Sequence, residues 1–194
     1  MTLSGVYADF ASGLEYDGLP EATRVQTKKL VLDLVGVALA GYKLMPFPKI
    51  FVGYLAEQGG KPEATAIGAP ERLPAANAAL ANAACAHALD MDDGHRYAAL
   101  HPGVVVIPAA MASAQAAGAS TPDLLAGIVA GYEVMIRIGR AINPSSLNRG
   151  FHATGITGVF GAAAAAARIM GLDRDETAGA LGLAGLQASG ILQV

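Results

Sequence analysis

The sequence predicts an all-α protein, because apolar residues recur at helical spacing in one segment after another and the links between segments are short. Residues 64–67, Ala-Thr-Ala-Ile, are the only segment that resembles a β-strand, and they are few. No fixed-period repeat or low-complexity linker divides the 194 residues, a length sufficient for one domain with a substantial core. We therefore expect residues 1–194 to form one helical bundle.

The first half of the chain contains three predicted helices. The first begins at Leu19-Pro20-Glu21, where a proline and an acid suit a first helical turn, and ends at Gly41. A short helix follows over residues 49–57, and a third begins at Pro74 and continues to about Leu89.

The second half contains four more predicted helices, over residues 104–117, 121–142, 154–170 and about 174–188. Thr121-Pro122-Asp123 combines a capping hydroxyl, a proline and an acid, which together favour a helix start. Asp173 and Glu176 have the spacing of a capping box. The link between residues 144 and 153 is polar and is expected to be a loop.

The composition excludes several classes of protein. The net charge of −3 and the absence of a Lys/Arg run argue against a nucleic-acid partner. A single cysteine, Cys85, excludes an internal disulfide and is most simply a small buried residue. Since no signal peptide is visible at the N-terminus, we expect a cytoplasmic protein.

The chain is unusually apolar for its class, with 53% hydrophobic and 15% charged residues and a mean hydropathy of +0.42. No apolar segment reaches the roughly 18 uninterrupted residues that a membrane span needs, so we expect no membrane association. The surplus apolar surface instead predicts a protein partner, and a homo-oligomer, in particular a dimer, is the expected state.

Polar residues are concentrated between Asp90 and His101. This stretch holds the carboxylates of Asp90, Asp92 and Asp93 and the imidazoles of His95 and His101, and it follows the apolar segment 83–89. A buried helix that carries carboxylates at its C-terminal end predicts a functional cleft. A solvated acidic loop is the alternative that the pattern leaves open.

Two histidines precede predicted helices. His101 lies at the end of the acidic stretch, where a nearby carboxylate would suit it to move protons; a surface histidine that caps a turn is the alternative. His152 lies in a loop between glycines, where free backbone N–H groups favour an anion. Gly155, Gly158 and Gly161 follow it at a spacing that permits close helix packing.

Two other features have simpler interpretations. His87 lies on an apolar helix and is interpreted as a core histidine without a functional role. Glu133 and Arg137, four residues apart, predict an ion pair within one helix.

These motifs, taken together and in order, resemble the MmgE/PrpD family. The resemblance rests on residues 82–95 (Asn-Ala-Ala-Cys-Ala-His-Ala-Leu-Asp-Met-Asp-Asp-Gly-His), His101-Pro102-Gly103, Asp123-Leu124-Leu125 with Gly131-Tyr132-Glu133, and Gly150-Phe151-His152 with Thr154-Gly155. Residues 32–41 also resemble the first long helix of the family. The likeness covers nearly the whole chain.

The resemblance implies an enzyme of the 2-methylcitrate dehydratase type, a hydro-lyase of propionate catabolism that acts on a small polycarboxylic acid. By motif match Asp90, His101 and His152 are the expected catalytic residues. We expect Asp93, His95 and Arg96 to bind substrate. The resemblance implies no cofactor and no metal, and a dimer as the usual state.

The family fold has a large helical domain and a smaller α+β domain, and the resemblance places this chain within the helical domain. The sequence therefore matches part of that domain, looks cut off at Gln193-Val194, and lacks counterparts of the lysines and tyrosine that later family segments supply. We expect the isolated chain to have negligible dehydratase activity.

Three alternatives stay open. The chain could belong to a cis-aconitate decarboxylase-like or epimerase branch of the same family. It could be a metal-dependent helical hydrolase, in which case Asp92, Asp93 and His95 are expected to converge on a divalent ion. It could also be a non-catalytic subunit or remnant.

Overall fold

The computed structural model describes residues 2–192, and over these residues the fold is all-α, as predicted. The helices are α1 Leu3–Ser12, α2 Glu21–Leu44, α3 Pro46–Glu57, α4 Ala75–His87, α5 Gly103–Ala117, α6 Thr121–Ile142, α7 Ser145–Asn148, α8 Ala153–Met170 and α9 Arg174–Gly185. The strands β1 Ala64–Thr65 and β2 Arg72–Leu73 pair antiparallel, with Ala64 opposite Leu73. Residues Gln193-Val194, where the sequence is expected to be cut off, lie outside the described residues.

The capping signals in the sequence begin the helices that they predict. Helix α6 begins at Thr121, but its cap is the hydroxyl of Ser120 and not that of Thr121 as the sequence predicts; it accepts a hydrogen bond from the backbone N–H of Asp123 at 3.2 Å. Asp173 and Glu176 form the predicted capping box of α9, with N–O distances of 2.8 and 2.9 Å. The Ser120 cap of α6 and the capping box of α9 both satisfy backbone N–H groups that have no partner within their helix.

The structure differs from the sequence prediction at several helix positions, among them the start of α3 at Pro46 where the sequence predicts residue 49. Helix α1 was not predicted, the one-turn helix α7 lies in the expected polar loop, and α9 ends at Gly185. Helix α2 continues through Gly41 to Leu44. A Cβ added at Gly41 would lie 2.0 Å from the carbonyl oxygen of Cys85. Gly41 therefore permits α2 and α4 to pack closely, and it does not end the helix.

Helix α8 forms the centre of the bundle. It packs against α5, α6 and α9, while α4 packs between α2 and α5. At the crossing of α6 and α8, a Cβ added at Gly131 would lie 2.7 Å from the carbonyl oxygen of Gly161, so two glycines let the backbones approach. Cys85 is fully buried in the main core, as predicted, and burial raises the pKa of its thiol to about 11.

Helix α8 is also long and apolar enough to cross a membrane, but 56% of its 18-residue window is buried within the bundle. A central core helix has the same length and composition. Large apolar side chains are exposed elsewhere, including Leu44, Phe47, Ile50 and Tyr54 around the α2–α3 corner.

Candidate active site

The packing of the helices brings the C-terminal end of α4 to the N-terminal ends of α5 and α8. Two hydrogen bonds fix this arrangement. The backbone N–H of His101, just before α5, donates to the Thr154 hydroxyl in the first turn of α8 at 3.0 Å. The backbone N–H of Gly103 donates to the carboxylate of Asp93 at 2.8 Å. The acidic stretch is therefore held between three helix ends.

Asp92 is the centre of the polar cluster at this junction. Its side chain is only 1% exposed, and its oxygens lie 2.9 Å from Nδ1 of His87 and 3.2 Å from Nδ1 of His101. The two imidazole rings meet edge to face, with centroids 5.2 Å apart. The contact with His87 is a hydrogen bond. The contact with His101 lacks hydrogen-bond geometry and leaves both buried atoms without such a bond.

The charges in the cluster support one another. Burial alone would raise the pKa of Asp92, but the hydrogen bond from His87 and the charges of both histidines outweigh it, so this pKa lies below its ordinary value. The same hydrogen bond raises the pKa of His87. His87 is also the last residue of α4, where the helix dipole favours a cation. The pair therefore favours a carboxylate beside an imidazolium.

Asp90 completes this group. It adopts a left-handed backbone conformation (φ 52°), which aspartate tolerates better than most residues. Four residues each place one ring nitrogen or carboxylate oxygen within 4.8 Å of the others: His87, Asp90, Asp92 and His101. Of the four, Asp90 is the exposed one. Two of the predicted catalytic residues, Asp90 and His101, are thus brought together.

His152 approaches the same cluster from α8. Its Nδ1 accepts a hydrogen bond from the backbone N–H of Gly155 at 3.2 Å, so the ring itself caps the helix where an anion was expected. Burial and the charges of His87 and His101 lower the pKa of His152. The neutral form of His152 is therefore favoured, and the hydrogen bond from His101 N to the Thr154 hydroxyl holds the start of α8 beside His101.

The hydrogen bonds assign complementary tautomers to these histidines. Because Nδ1 of His152 is an acceptor, its proton lies on Nε2, and the free nitrogen of the ring is a donor. His87 donates from Nδ1 to Asp92, so in its neutral form its Nε2 carries a lone pair. His101 faces Asp92 through the same nitrogen. One end of the site can thus donate a hydrogen bond while the other exchanges a proton.

Asp93 differs from its neighbours because both of its oxygens are occupied. One accepts from Gly103 N, and the other accepts from the Tyr132 hydroxyl at 3.1 Å. A Cβ at Gly103 would collide with the Asp93 carboxylate and the Tyr132 hydroxyl. Glycine at this position therefore lets Asp93 bind both the backbone N–H and the tyrosine. Burial raises the pKa of Asp93, and burial followed by the Asp93 charge raises that of Tyr132. These contacts indicate that Asp93 fixes the loop, and its role in substrate binding stays a prediction.

The other predicted substrate-binding residues lie along the same loop. The imidazole of His95 accepts a hydrogen bond from Ala98 N at 3.2 Å, and its backbone N–H donates to the carbonyl oxygen of Leu100 at 2.8 Å. Arg96 is exposed to solvent. The ligand set expected for a metal hydrolase does not converge among the described residues, because Asp93 and His95 bind partners of their own.

The interpretation of His87 as a core histidine is wrong. Its side chain is 40% exposed and hydrogen-bonded to Asp92. The alanine-rich sequence of α4 made His87 resemble a core residue. Its position as the last residue of α4 is the feature that could have predicted its exposure. The predicted Glu133–Arg137 pair is confirmed, with a distance of 2.7 Å, and lies apart from the cluster.

The sequence of this chain is similar to sequences of known proteins. The MmgE/PrpD N-terminal domain matches residues 6–194, and the chain belongs to the MmgE/PrpD family. Cis-aconitate decarboxylase of Aspergillus terreus (strain NIH 2624 / FGSC A1156) is 32% identical over 97% of this chain. Cis-aconitate decarboxylases of Homo sapiens and Mus musculus are each 30% identical over 95% of it.

These relatives are considerably longer than this chain. It covers 40% of the Aspergillus and human proteins and 39% of the mouse protein. The family and its curated relatives are lyase-type enzymes, and the residues described here correspond to the N-terminal helical domain.

Proposed function

We propose that this chain supplies part of the active site of a lyase that acts on a small polycarboxylic acid. Decarboxylation of a cis-aconitate-like tricarboxylate is the favoured reaction, because the similar proteins named above are cis-aconitate decarboxylases. The observation that carries the proposal is the cluster in which Asp92 joins two imidazoles at the junction of three helix ends.

The chemistry of the reaction requires one proton and a place for negative charge. When the bond to the departing carboxylate breaks, CO2 leaves and the electron pair moves through the neighbouring C=C bond. Charge then develops on the carbon next to a remaining carboxylate. That carbon must receive a proton, and a histidine whose pKa is close to neutrality can deliver it.

The roles in the site follow from the geometry. His101, with Asp92 behind its Nδ1, is the group that delivers the proton from Nε2. His152 presents Nε2–H as a donor to a substrate carboxylate on which charge develops. Asp90, the exposed carboxylate of the cluster, can take a proton from water and pass it to His101 between turnovers.

Dehydration of a 2-methylcitrate-like acid is the second candidate. In this reaction His101 takes the proton from the carbon next to a carboxylate, the freed electron pair forms the C=C bond, and the β-hydroxyl leaves as water with a proton supplied by solvent. No cofactor takes part in either scheme. Since the chain spans about 40% of its relatives, further carboxylate contacts are expected from segments corresponding to the rest of their length.

NMR spectra of the purified chain with 13C-labelled histidine test the proposal. We expect cis-aconitate to shift the imidazole signals of His101 and His152 more strongly than 2-methylcitrate at equal concentration. Turnover by the chain alone should release CO2 far more slowly than a complete family enzyme. If neither acid shifts these signals, the proposed function is wrong for this chain; dehydration of 2-methylcitrate with cis-aconitate left intact would support the second candidate.

A further inference from the structure

Asp92 is shared between two imidazoles, and the proposed reaction uses only one of them. His87 and His101 contact opposite oxygens of the same carboxylate. Their side chains are 40% and 32% exposed, whereas Asp92 is 1% exposed. The carboxylate is thus buried behind two partly open rings, both of which turn Nδ1 towards it.

The surroundings of His87 favour a positive charge. Its ring is hydrogen-bonded to one carboxylate, has a second within 4.8 Å at Asp90, and lies at the C-terminal end of α4. The opposing groups are the imidazoles of His101, in front of α5, and His152, at the start of α8. The hydrogen bond to Asp92 and the charges of Asp92 and Asp90 outweigh the opposing effect of burial, so the pKa of His87 is raised.

A polycarboxylate substrate needs such a charge. The loop offers the exposed guanidinium of Arg96, and Arg149, before α8, is likewise exposed. Neither has a described contact that holds it towards the cluster, whereas His87 is held by Asp92. An ordered cation whose partner is already buried is better suited to bind an anion than a mobile side chain is.

We propose that His87 is a further substrate-binding residue of this site, whose Nε2–H donates to a substrate carboxylate while Asp92 holds Nδ1. The inference rests on the proposed function and adds a specific residue to it. In this arrangement Asp92 positions two rings with different tasks: His87 holds one carboxylate, and His101 transfers the proton at the neighbouring carbon.

Two matched variants test the proposal. In His87→Asn, the amide N–H2 takes the place of Nδ1–H and can still donate to Asp92, but the ring Nε2 and the charge are lost. In Arg137→Gln, a positive charge is also lost, but it belongs to the exposed ion pair with Glu133 in α6, apart from the cluster. Each variant removes one cationic side chain, and only His87→Asn removes the proposed ligand contact.

The probe is tricarballylate, a saturated tricarboxylate that cannot react. Its Kd for the 194-residue chain is measured in buffer with EDTA, from the imidazole signals of His101 and His152. Loss of a hydrogen bond to a charged group costs about 1.5–3 kcal/mol, which corresponds to a roughly 10- to 100-fold weaker Kd. We expect this loss for His87→Asn and a change below about twofold for Arg137→Gln.

The outcomes separate the two proposals. If His87→Asn binds tricarballylate as wild type does, the inference about His87 is wrong while the proposed function stands. If the probe shifts no histidine signal in wild type, both are wrong for this chain. Should His87→Asn fail to fold, the 15N shift of Nε2 of His87 in wild type decides: it must move on saturation with tricarballylate, and an unchanged shift overturns the inference.

Discussion

Asp92 and the helix start at α8 determine which nitrogen of each histidine faces the site. The Asp92 carboxylate accepts a hydrogen bond from Nδ1 of His87, whereas Nδ1 of His152 accepts one from the backbone N–H of Gly155. Chemically identical side chains therefore differ in charge and in tautomer. Differences of this kind within one site allow the same residue type to donate and accept protons at one pH.

The histidines are expected to titrate separately. His87 should titrate above, and His152 below, the ordinary value of about 6.5. The contribution of His87 to stability is then present below pH of about 6.5 and is lost as pH rises through its higher folded pKa; that of His152 is present above about 6.5 and is lost as pH falls through its lower one.

An NMR pH titration of wild type and Asp92→Asn measures this directly. Asp92→Asn should return the pKa of His87 towards its ordinary value, because its hydrogen bond to a carboxylate is the main cause of the rise. An unchanged titration of His87 in this variant would show that Asp92 does not set its charge.

Tyr132 and Asp93 fix the loop that carries His101. Tyr132→Phe removes the hydroxyl that donates to Asp93, and a hydrogen bond to a charged group is worth about 1.5–3 kcal/mol. We expect a loss of about that size in the free energy of unfolding, measured by urea denaturation. Tyr97→Phe is the control, since that ring is 76% exposed; equal stability of the two variants would contradict the role of Tyr132.

At the scale of elements, the crossing of α6 and α8 positions the helix whose N-cap is His152. This crossing depends on glycine residues, which have no side chain to separate the two backbones. A Cβ at Gly131 would lie 2.5 Å from Val106 and 2.7 Å from the carbonyl oxygen of Gly161. The backbone atoms cannot move away without separating the two helices, so the position of α8 depends on glycine here.

Two Gly→Ala variants test this dependence on packing. Gly131→Ala should lower the free energy of unfolding by about 1–3 kcal/mol, because it overpacks the helix crossing. Gly179→Ala, in α9, meets no atom within 4 Å and should raise it by about 0.5–1 kcal/mol through helix propensity. Calorimetry of both variants checks the pair; a stabilising Gly131→Ala would show that the helices are not closely packed at this point.

At the scale of the whole molecule, the exposed apolar corner of α2 and α3 predicts association. Phe47 is 58% and Ile50 71% exposed, with Leu44 and Tyr54 nearby. We expect light scattering to show dimers or larger species at micromolar concentrations, and Ile50→Lys to weaken them because it introduces a charge into an apolar contact. Met170→Lys, at a separate exposed site, is the control. A concentration-independent monomer would contradict this expectation.

The sequence predicts most of the bundle because its helix starts and apolar periodicity are local signals. Thr121-Pro122-Asp123 and the Asp173–Glu176 box both begin helices as expected. Gly41 misled the prediction, because its role depends on the carbonyl of Cys85 in another helix. Such a contact has no local signature.

The site was only partly predictable for the same reason. Asp90, His101 and His152 were selected from motifs, but the separate roles of Asp92 and Asp93 depend on which partners the fold brings to each. His87 was missed because its exposure is decided by the neighbouring starts of α5 and α8. The sequence shows which polar groups are present, and the packing of helix ends determines which of them meet.

The central claim is that His87, Asp92, His101 and His152 form one polycarboxylate-binding site. A crystal structure of the chain with tricarballylate tests it most directly. We expect the ligand to bind at the junction of α4, α5 and α8, with carboxylate oxygens within about 3.2 Å of Nε2 of both His87 and His152. A ligand bound elsewhere in the molecule, or His152 turned away from His101, would contradict it.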